Sequence, residues 1–581
     1  MKILLAKTAG FCMGVRRAVE LVMDVPEAHE GQICTFGPLI HNAQVLALLE
    51  EKGISVLNEV PTKGAGTVLI RAHGVPPETK QDLKNAGFKV VDATCPRVIR
   101  VQTIIRKHAQ KQFASVIVGD KDHPEVTGLL GYAGGKGYVI GSLEELEALP
   151  EFEKAIIVAQ TTQNTHLFDS IKTWAQKFPH YKVFDTICDS TERRQAEVKR
   201  LADSVDAVIV VGGRNSGNTR RLVEIAKQAG KPAYHIETEA DLESLDTGSL
   251  ASAQHIGITA GASTPNWIIK RVYRTLESMP YKKGRGWRSA FYNLQRVLLL
   301  TNIYVSLGAG CLSYACSKLL AIGQYFPHVI MAILYVQSMH ILNHLTGKKS
   351  DQYNDPDRAT FYNKHKVFLS ILAFMAGGIG LIISFTIGPI PFVVLLAMSI
   401  LGLSYNLKII PERFAFIRYR RIRDIPGSKT ILIAIAWGIV TSLFPPLSIS
   451  SQIDTGTILV LLWSTGMVFV RTAFFDTLDM QGDRIVGMET IPILMGEKRS
   501  MRLLKSILAL TLAVILLSSA FSLISSLGFG LAICPIFLFL VIMIYEKGHL
   551  IPGIRLEFLV ESLFVLAGII TLLWSVIQTG L

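Results

Sequence analysis

A change of solvent divides this chain. From about residue 294 onward, long apolar runs alternate with basic loops, whereas residues 1–285 read as an ordinary soluble α/β protein. Inside a bilayer every backbone polar group needs an internal partner, so apolar runs of that length have to be helices. About nine are long enough to cross, near 294–317, 325–345, 367–387, 389–405, 430–447, 456–474, 503–525, 528–545 and 560–579. The net charge of +13 suggests nucleic-acid binding until it is located. Much of the excess lies in Tyr281–Arg288 and in loops 348–366, 408–429 and 484–502, the second holding Arg418, Arg420, Arg421 and Arg423. Loop 445–456 carries no Lys or Arg. That asymmetry is a topology signal: the basic loops and the soluble half are expected to face the cytoplasm, the rest to sit in lipid, and no nucleic-acid partner is expected. Met1–Ala6 lacks the apolar core of a signal peptide, so the N-terminus is expected to stay cytoplasmic. A basic, Gly-containing joint over 281–293, with Trp287 suited to an interface, is expected to separate a domain 1–280 from a domain 294–581.

Seven cysteines in a chain this long make no disulfide framework, and three of them share a setting. Lys89-Val-Val-Asp92-Ala-Thr-Cys95 and Lys182-Val-Phe-Asp185-Thr-Ile-Cys188 have one layout, and Cys12 follows the apolar run Ile3–Ala6 and a polar turn. Each reads as a strand end that carries a thiol into a loop. Their even spacing predicts three similar lobes, each offering one sulfur to a common centre. Three thiolates suit a soft metal or an iron–sulfur cluster with one coordination site open. Gly10–Glu20 reads as a tight turn opening a helix, whose N–H groups stabilise a thiolate at Cys12. Three buried core cysteines are the plain alternative. A structural zinc site normally clusters its ligands at short spacing, unlike these.

Five more β runs, Thr67–Ile70, Ser115–Val118, Ala155–Val158, Ala207–Val211 and Ile256–Thr259, each end in a small polar loop followed by a helical pattern. That is a parallel α/β arrangement, in which ligands bind at the carboxyl ends of the strands. The loops hold His73, His123, Glu125, Thr161, Ser216, Gly217, Asn218 and Ser263, and His41 sits at a further loop-to-helix junction. Gly-rich turns with imidazoles, hydroxyls and amides make an oxyanion cage that a diphosphate fits. No complete Walker or dinucleotide fingerprint is present, so ATP and NAD are not supported.

The three cysteine contexts, with Ala72-His73-Gly74, His123-Pro-Glu125-Val, Gln160-Thr161-Thr162, Asn215-Ser216-Gly217-Asn218 and Gly261-Ala-Ser263, resemble 4-hydroxy-3-methylbut-2-enyl diphosphate reductase over about residues 1–280. The resemblance implies three α/β lobes around a 4Fe-4S cluster held by Cys12, Cys95 and Cys188, with the fourth iron open to the substrate hydroxyl. It implies loss of that hydroxyl as water with two electrons and two protons, giving isopentenyl and dimethylallyl diphosphate. Glu125 would supply a proton, relayed by Thr161, its pKa raised by the neighbouring diphosphate. His41, His73, His123, Ser216, Asn218 and Ser263 would grip the diphosphate. Gly217 stands where many members carry a second Ser, and its backbone N–H can still donate. Cys34 matches no ligand position and reads as structural.

In the second half, Asp476, Asp479 and Asp483 fall on one helical face at i, i+3 and i+7. Three such acids repel one another unless a cation sits among them, and Mg²⁺ bridging to a diphosphate is the usual solution; a solvated acidic helix end is the alternative. With Asn343, Asp351 and Tyr405–Lys408 they resemble the intramembrane prenyltransferases of the 4-hydroxybenzoate polyprenyltransferase type. That resemblance implies nine helices and two Asp-rich motifs binding Mg²⁺ and a prenyl diphosphate. Gly347 stands where the first motif usually has an Asp, and Asp355 or Asp357 are its candidate substitutes. The whole reads as a multi-pass protein of the inner, cytoplasmic membrane: a reductase, fed by a ferredoxin or flavodoxin-type donor, fused to a prenyltransferase-like domain. A reductase with an inactive anchor and a membrane-bound iron–sulfur electron carrier are the alternatives. A carrier needs neither Glu125 nor a diphosphate cage.

Overall fold

The computed structural model describes residues 2–28, 32–245, 250, 253–282, 286–347, 351, 353–405, 422, 425–449, 453–485, 488–547 and 553–579. They form two compact units, Met1–Glu277 and Ser278–Leu581.

The first unit holds twelve described strands, β1 (Lys2–Leu5), β2 (Ile33–Phe36), β3 (Ile54–Leu57), β4 (Thr67–Ile70), β5 (Lys89–Asp92), β6 (Ala114–Val118), β7 (Gly137–Ile140), β8 (Ala155–Ala159), β9 (Tyr181–Phe184), β10 (Ala207–Val211), β11 (Ala233–Ile236) and β12 (His255–Ala260). They make three four-stranded sheets, ordered β3-β2-β4-β5, β7-β6-β8-β9 and β11-β10-β12-β1, parallel throughout. The three orders are one pattern. The first strand of a lobe is flanked by the second and third, and the fourth takes the far edge. In the last lobe the fourth place is filled by β1, from the start of the chain. The inner strands β6, β8 and β10 are buried along their whole length, which is why they read as unbroken Val/Ile/Ala runs and not as an alternation.

This repeat decides where the chemistry falls. Fourth strands β1, β5 and β9 run into Cys12, Cys95 and Cys188. First strands β2, β6 and β10 run into His41, His123 and the 215–218 loop. Third strands β4, β8 and β12 run into His73, Thr161 and Ser263. Each lobe therefore contributes one thiol and two polar loops, all at the carboxyl ends of its strands.

In the second unit seven described helices are long and apolar enough to cross a membrane: Phe326–Thr346, Lys366–Ile387, Ser428–Ile449, Thr455–Arg484, Glu497–Ala520, Leu527–Glu546 and Ile554–Gln578. The span expected at 294–317 is corrected. It is two helices, Trp287–Leu300 and Ile303–Leu319, bent by 74°. The break is Asn302, left-handed at φ 60°, a conformation Asn tolerates better than most residues; its buried amide donates to the Tyr362 hydroxyl at 2.6 Å. Counted as one span the pair makes eight among the described residues, and Pro389–Ser404 is a shorter apolar helix. The Lys/Arg-free stretch expected as a loop from Pro445 begins inside helix Phe444–Ile449, and the helix Trp287–Leu300 takes up the second half of the expected joint. Residues 406–408 of the Tyr405–Lys408 stretch, and 418, 420, 421 and 423 of the expected basic loop, lie outside the described residues. Phe368, Phe374 and Phe385 are each more than 60% exposed, the mark of faces whose solvent is hydrocarbon.

Candidate active sites

All twelve residues picked from the first half line one pocket, with Cys12, Cys95 and Cys188 on one part of its wall and His41, His73, His123, Glu125, Thr161, Ser216, Gly217, Asn218 and Ser263 on the rest. Cys95 and Cys188 are the N-caps of helices Pro96–Ala109 and Asp189–Asp203, and Cys12 immediately precedes helix Met13–Ala28. Backbone N–H groups at these helix starts turn to the sulfurs, Val15 N lying 3.4 Å from Cys12 Sγ. Burial pushes the Cys95 thiol up, and the Arg97 and Val98 N–H groups oppose it; each of the other two thiols pushes it up again. Cys188 is likewise raised by burial first. Three sulfurs that disfavour one another's charge, each with N–H donors, are a donor set for a soft, positively charged centre. Gly14 makes the approach possible: a Cβ there would stand 2.4 Å from Cys95 Sγ. Cys34, by contrast, is a buried core residue of the first sheet.

The three imidazoles form a second cluster, with ring centroids 4.6, 5.3 and 5.6 Å apart. Burial lowers all three pKa values, to about 4 for His123 and well below the usual value for His73, and Arg71 adds to the lowering at His41 and His73. One divalent ion could bridge the three rings, whose ligand atoms lie within 4.8 Å of one another. The surroundings favour an anion instead. His41 Nε2, His73 Nδ1 and Asn218 Nδ2 are buried without a partner, and helix Gly217–Gln228 points its N-terminus here, capped by Ser216. Arg220 and Arg221 supply further positive charge. Donors, guanidinium groups and a helix N-terminus repel a cation and suit a phosphate group. Ser263 is engaged already: its hydroxyl donates to the His41 carbonyl at 3.0 Å.

Glu125 is 1% exposed. Thr161 donates to both of its oxygens, from N to Oε1 at 2.7 Å and from Oγ1 to Oε2 at 2.8 Å. Burial outweighs these bonds and lifts the carboxyl to about 7. Desolvation alone thus raises the carboxyl, before any charge that a bound diphosphate would add. Sequence reasoning missed the brace beneath the site. Arg221 grips Asp120 with both terminal nitrogens, at 3.0 and 3.3 Å, and donates from Nε to Gln163 Oε1 at 3.1 Å. Asp120 lies three residues before His123, and no spacing pattern ties it to an arginine a hundred residues away.

In the second unit, Asp476, Asp479 and Asp483 lie within the last turns of helix Thr455–Ile485, not in a loop. Asp476 is 2% exposed and Asp483 fully buried, which rules out the solvated acidic end. Asp476 accepts from Thr430 Oγ1 and pairs with Lys429 Nζ at 3.4 Å, and Lys429 is a charged neighbour of all three acids. Asn354 bridges the two motifs, its amide donating to Asp483 Oδ1 at 2.7 Å. The sequence pointed to none of Lys429, Thr430 and Asn354. In the first motif Asn343 lies in the last turn of helix Phe326–Thr346, and Asp351 is bonded to His344 Nδ1 at 2.8 Å. Asp355 caps helix Pro356–Lys364 and lies 3.5 Å from Arg358, and Asp357 lies 3.5 Å from Arg296. Three carboxylates on one helix face, tied to the first motif through Asn354, offer hard oxygen donors of the kind Mg²⁺ accepts. Deeper in the same helix Arg471 forms a buried ion pair with Glu561.

Three thiols converging from three equivalent lobes, beside a buried carboxyl and an anion cage, define a metal-cluster enzyme acting on a phosphorylated substrate. The comparisons with known proteins give that class a family. Residues 3–277 match the family model described as LytB protein, and residues 303–550 match that of the UbiA prenyltransferase family. The 4-hydroxy-3-methylbut-2-enyl diphosphate reductase of Geobacter sulfurreducens is 43% identical over 284 residues, 49% of this chain and 99% of the relative. That of Solidesulfovibrio magneticus is 45% identical over 288 residues, 48% of this chain and 100% of the relative. A solved structure of such a reductase, 41% identical, covers 48% of this chain and 100% of its own with a TM-score of 0.38. A UbiA homolog from Archaeoglobus fulgidus bound to GPP and Mg²⁺ is 15% identical and covers 47% and 98%, with a TM-score of 0.35. The chain belongs to the 4-hydroxy-3-methylbut-2-enyl diphosphate reductase family and carries, fused behind that unit, a UbiA prenyltransferase domain.

Proposed function

We propose that the first unit reduces 4-hydroxy-3-methylbut-2-enyl diphosphate to isopentenyl and dimethylallyl diphosphate, with loss of the hydroxyl as water. The observation that carries this reading is the buried Glu125, bonded to Thr161, in one pocket with three thiols and an anion cage. Cys12, Cys95 and Cys188 would hold a 4Fe-4S cluster, which when bound supplies electrons and a Lewis-acidic iron. The chain's own residues do the rest. His41, His73 and Asn218 offer unpartnered donors to the diphosphate, and Ser216, His123 and the Gly217 N–H complete the grip. Ser263 joins by turning its hydroxyl from the His41 carbonyl. Burial disfavours the Glu125 anion and raises the carboxyl to about 7, so a large share is protonated at neutral pH, and Thr161 Oγ1, 2.8 Å away, can pass the proton to the substrate. Electrons come from a ferredoxin or flavodoxin-type donor.

Cys95→Ser should remove the brown colour of anaerobically purified protein and its turnover together, since a hydroxyl is a poor ligand for iron of this kind. Iron analysis and absorption spectra check this; a colourless, zinc-loaded variant or wild type that still turns over would overturn the assignment.

The second unit would transfer a prenyl group from a prenyl diphosphate bound through Mg²⁺ at Asp476, Asp479 and Asp483, with Asn343 and Asp351 opposite. The protein would sit in the inner, cytoplasmic membrane with its first unit in the cytoplasm. Gly347 leaves the first motif one acid short, so an unusually high Mg²⁺ requirement is expected. Gly347→Asp should lower the Mg²⁺ needed for half-maximal transfer by roughly tenfold, because ligand charge count tunes such affinities over decades. The added Cβ would come 2.9 Å from the Asn343 carbonyl, so the end of that helix must give slightly. An Mg²⁺ titration of membranes carrying each form, with a labelled polyprenyl diphosphate and a panel of acceptors, measures the shift. If no acceptor is prenylated by either form, the unit is better regarded as an anchor.

A further inference from the structure

The three cysteine loops are fastened to one another in a closed circuit. Arg17, on the helix that follows Cys12, donates from Nη1 to the carbonyl of Thr94, the residue before Cys95, at 3.1 Å. Arg97, two residues beyond Cys95, reaches Asp189, the residue after Cys188, with Nη2 to Oδ2 at 2.5 Å. Arg194, on the Cys188 helix, donates from Nη2 to the Gly10 carbonyl at 2.6 Å and from Nη1 to the Ala260 carbonyl at 3.0 Å. Gly10 lies two residues before Cys12, and Cys12 N donates in turn to the carbonyl of Ala262 at 3.1 Å. Each arginine thus starts in one lobe and ends beside the cysteine of the next, from Cys12 to Cys95 to Cys188 and back.

We propose that Arg17, Arg97 and Arg194 are positioning residues, a ring of clamps between lobes that sets the spacing of the three thiols whether or not a cluster is present. The proposal rests on the reading of those cysteines as cluster ligands. The need is physical. The sulfurs come from three separate sheets, so no single element fixes their separation, and three thiolates repel one another. Arginine suits the task because it keeps its charge, and at Arg194 its planar fork satisfies two fixed acceptors at once. The clamps should differ in strength. Arg194 is 3% exposed and serves two carbonyls. The Arg97–Asp189 pair is 37% and 56% exposed at its side chains, and an exposed ion pair contributes little.

The test uses the full chain in detergent, handled anaerobically, as wild type, Arg17→Gln, Arg97→Gln, Arg194→Lys and Arg194→Gln. Iron release to a chelator is timed in the loaded proteins. In iron-free protein, dibromobimane, which bridges two nearby thiols, reports the spacing directly, with the bridged peptides identified by mass. Far-UV circular dichroism checks folding. Iron loss should quicken about tenfold in Arg17→Gln and Arg194→Lys, the usual effect of removing an outer-shell partner, and least in Arg97→Gln. Bridging of Cys12 to Cys95 should fall in Arg17→Gln, and of Cys12 to Cys188 in both Arg194 variants, with helix content unchanged. If Arg194→Lys matches wild type while Arg194→Gln does not, charge and not the fork is what matters, and the clamp is wrong. Should the Arg194 variants fail to fold, Arg17→Gln decides: iron loss and bridging both within twofold of wild type would overturn the ring. A wild type that never takes up iron would sink the cluster reading, while the bridging results would still decide the clamps.

Discussion

Glu125→Gln is expected to keep its iron and its substrate affinity and to lose about a hundredfold or more in turnover, the range expected for removing a general acid. The amide preserves the shape: its oxygen can still accept from Thr161 N, and its NH₂ group can face Thr161 Oγ1, which can accept. What disappears is the transferable proton. The wild-type carboxyl sits at about 7 because burial outweighs its two bonds from Thr161. The competent form is the protonated one, so wild-type turnover should decline as pH rises through that value, while the variant's residual rate should not follow the decline. Single-turnover rates across pH, with iron content and KM measured alongside, check the expectation. Wild-type turnover in the variant would remove Glu125 from the mechanism.

Asp476→Asn is expected to abolish prenyl transfer. Asp476 is buried, bonded to Thr430 and paired with Lys429 at 3.4 Å. Replacing the carboxylate removes one charged metal ligand and the Lys429 partner, leaving that ammonium to Asp479 and Asp483. Mg²⁺ favours charged oxygen ligands, so the site should lose its metal. The first unit of the same protein gives an internal control, because its turnover should persist. Transfer at the wild-type rate would show that the acidic face is not the catalytic one.

The sequence carried the three cysteines and the loop residues because the lobes repeat, and each repeat announces itself as an apolar run ending in a polar turn. The hidden parts are those set by tertiary contact. That β1 completes the last lobe has no local signature, because the run Lys2–Leu5 looks the same whichever sheet it joins. Asp120 with Arg221, and Lys429 and Thr430 with Asp476, are pairs distant in the chain that only the fold brings together. The bend within the span expected at 294–317 was hidden for a related reason. Hydropathy averages over Asn302, whereas the backbone turns there because its amide finds Tyr362. The burial that raises the Glu125 carboxyl was also hidden, since motif spacing says nothing of burial.

The most direct test of the central claim is an anaerobic assay of the purified full chain with 4-hydroxy-3-methylbut-2-enyl diphosphate and a low-potential reductant. Protein carrying about four irons per chain should consume the substrate and release both isopentenyl and dimethylallyl diphosphate. Iron-replete protein that binds the diphosphate but releases neither product would contradict the account.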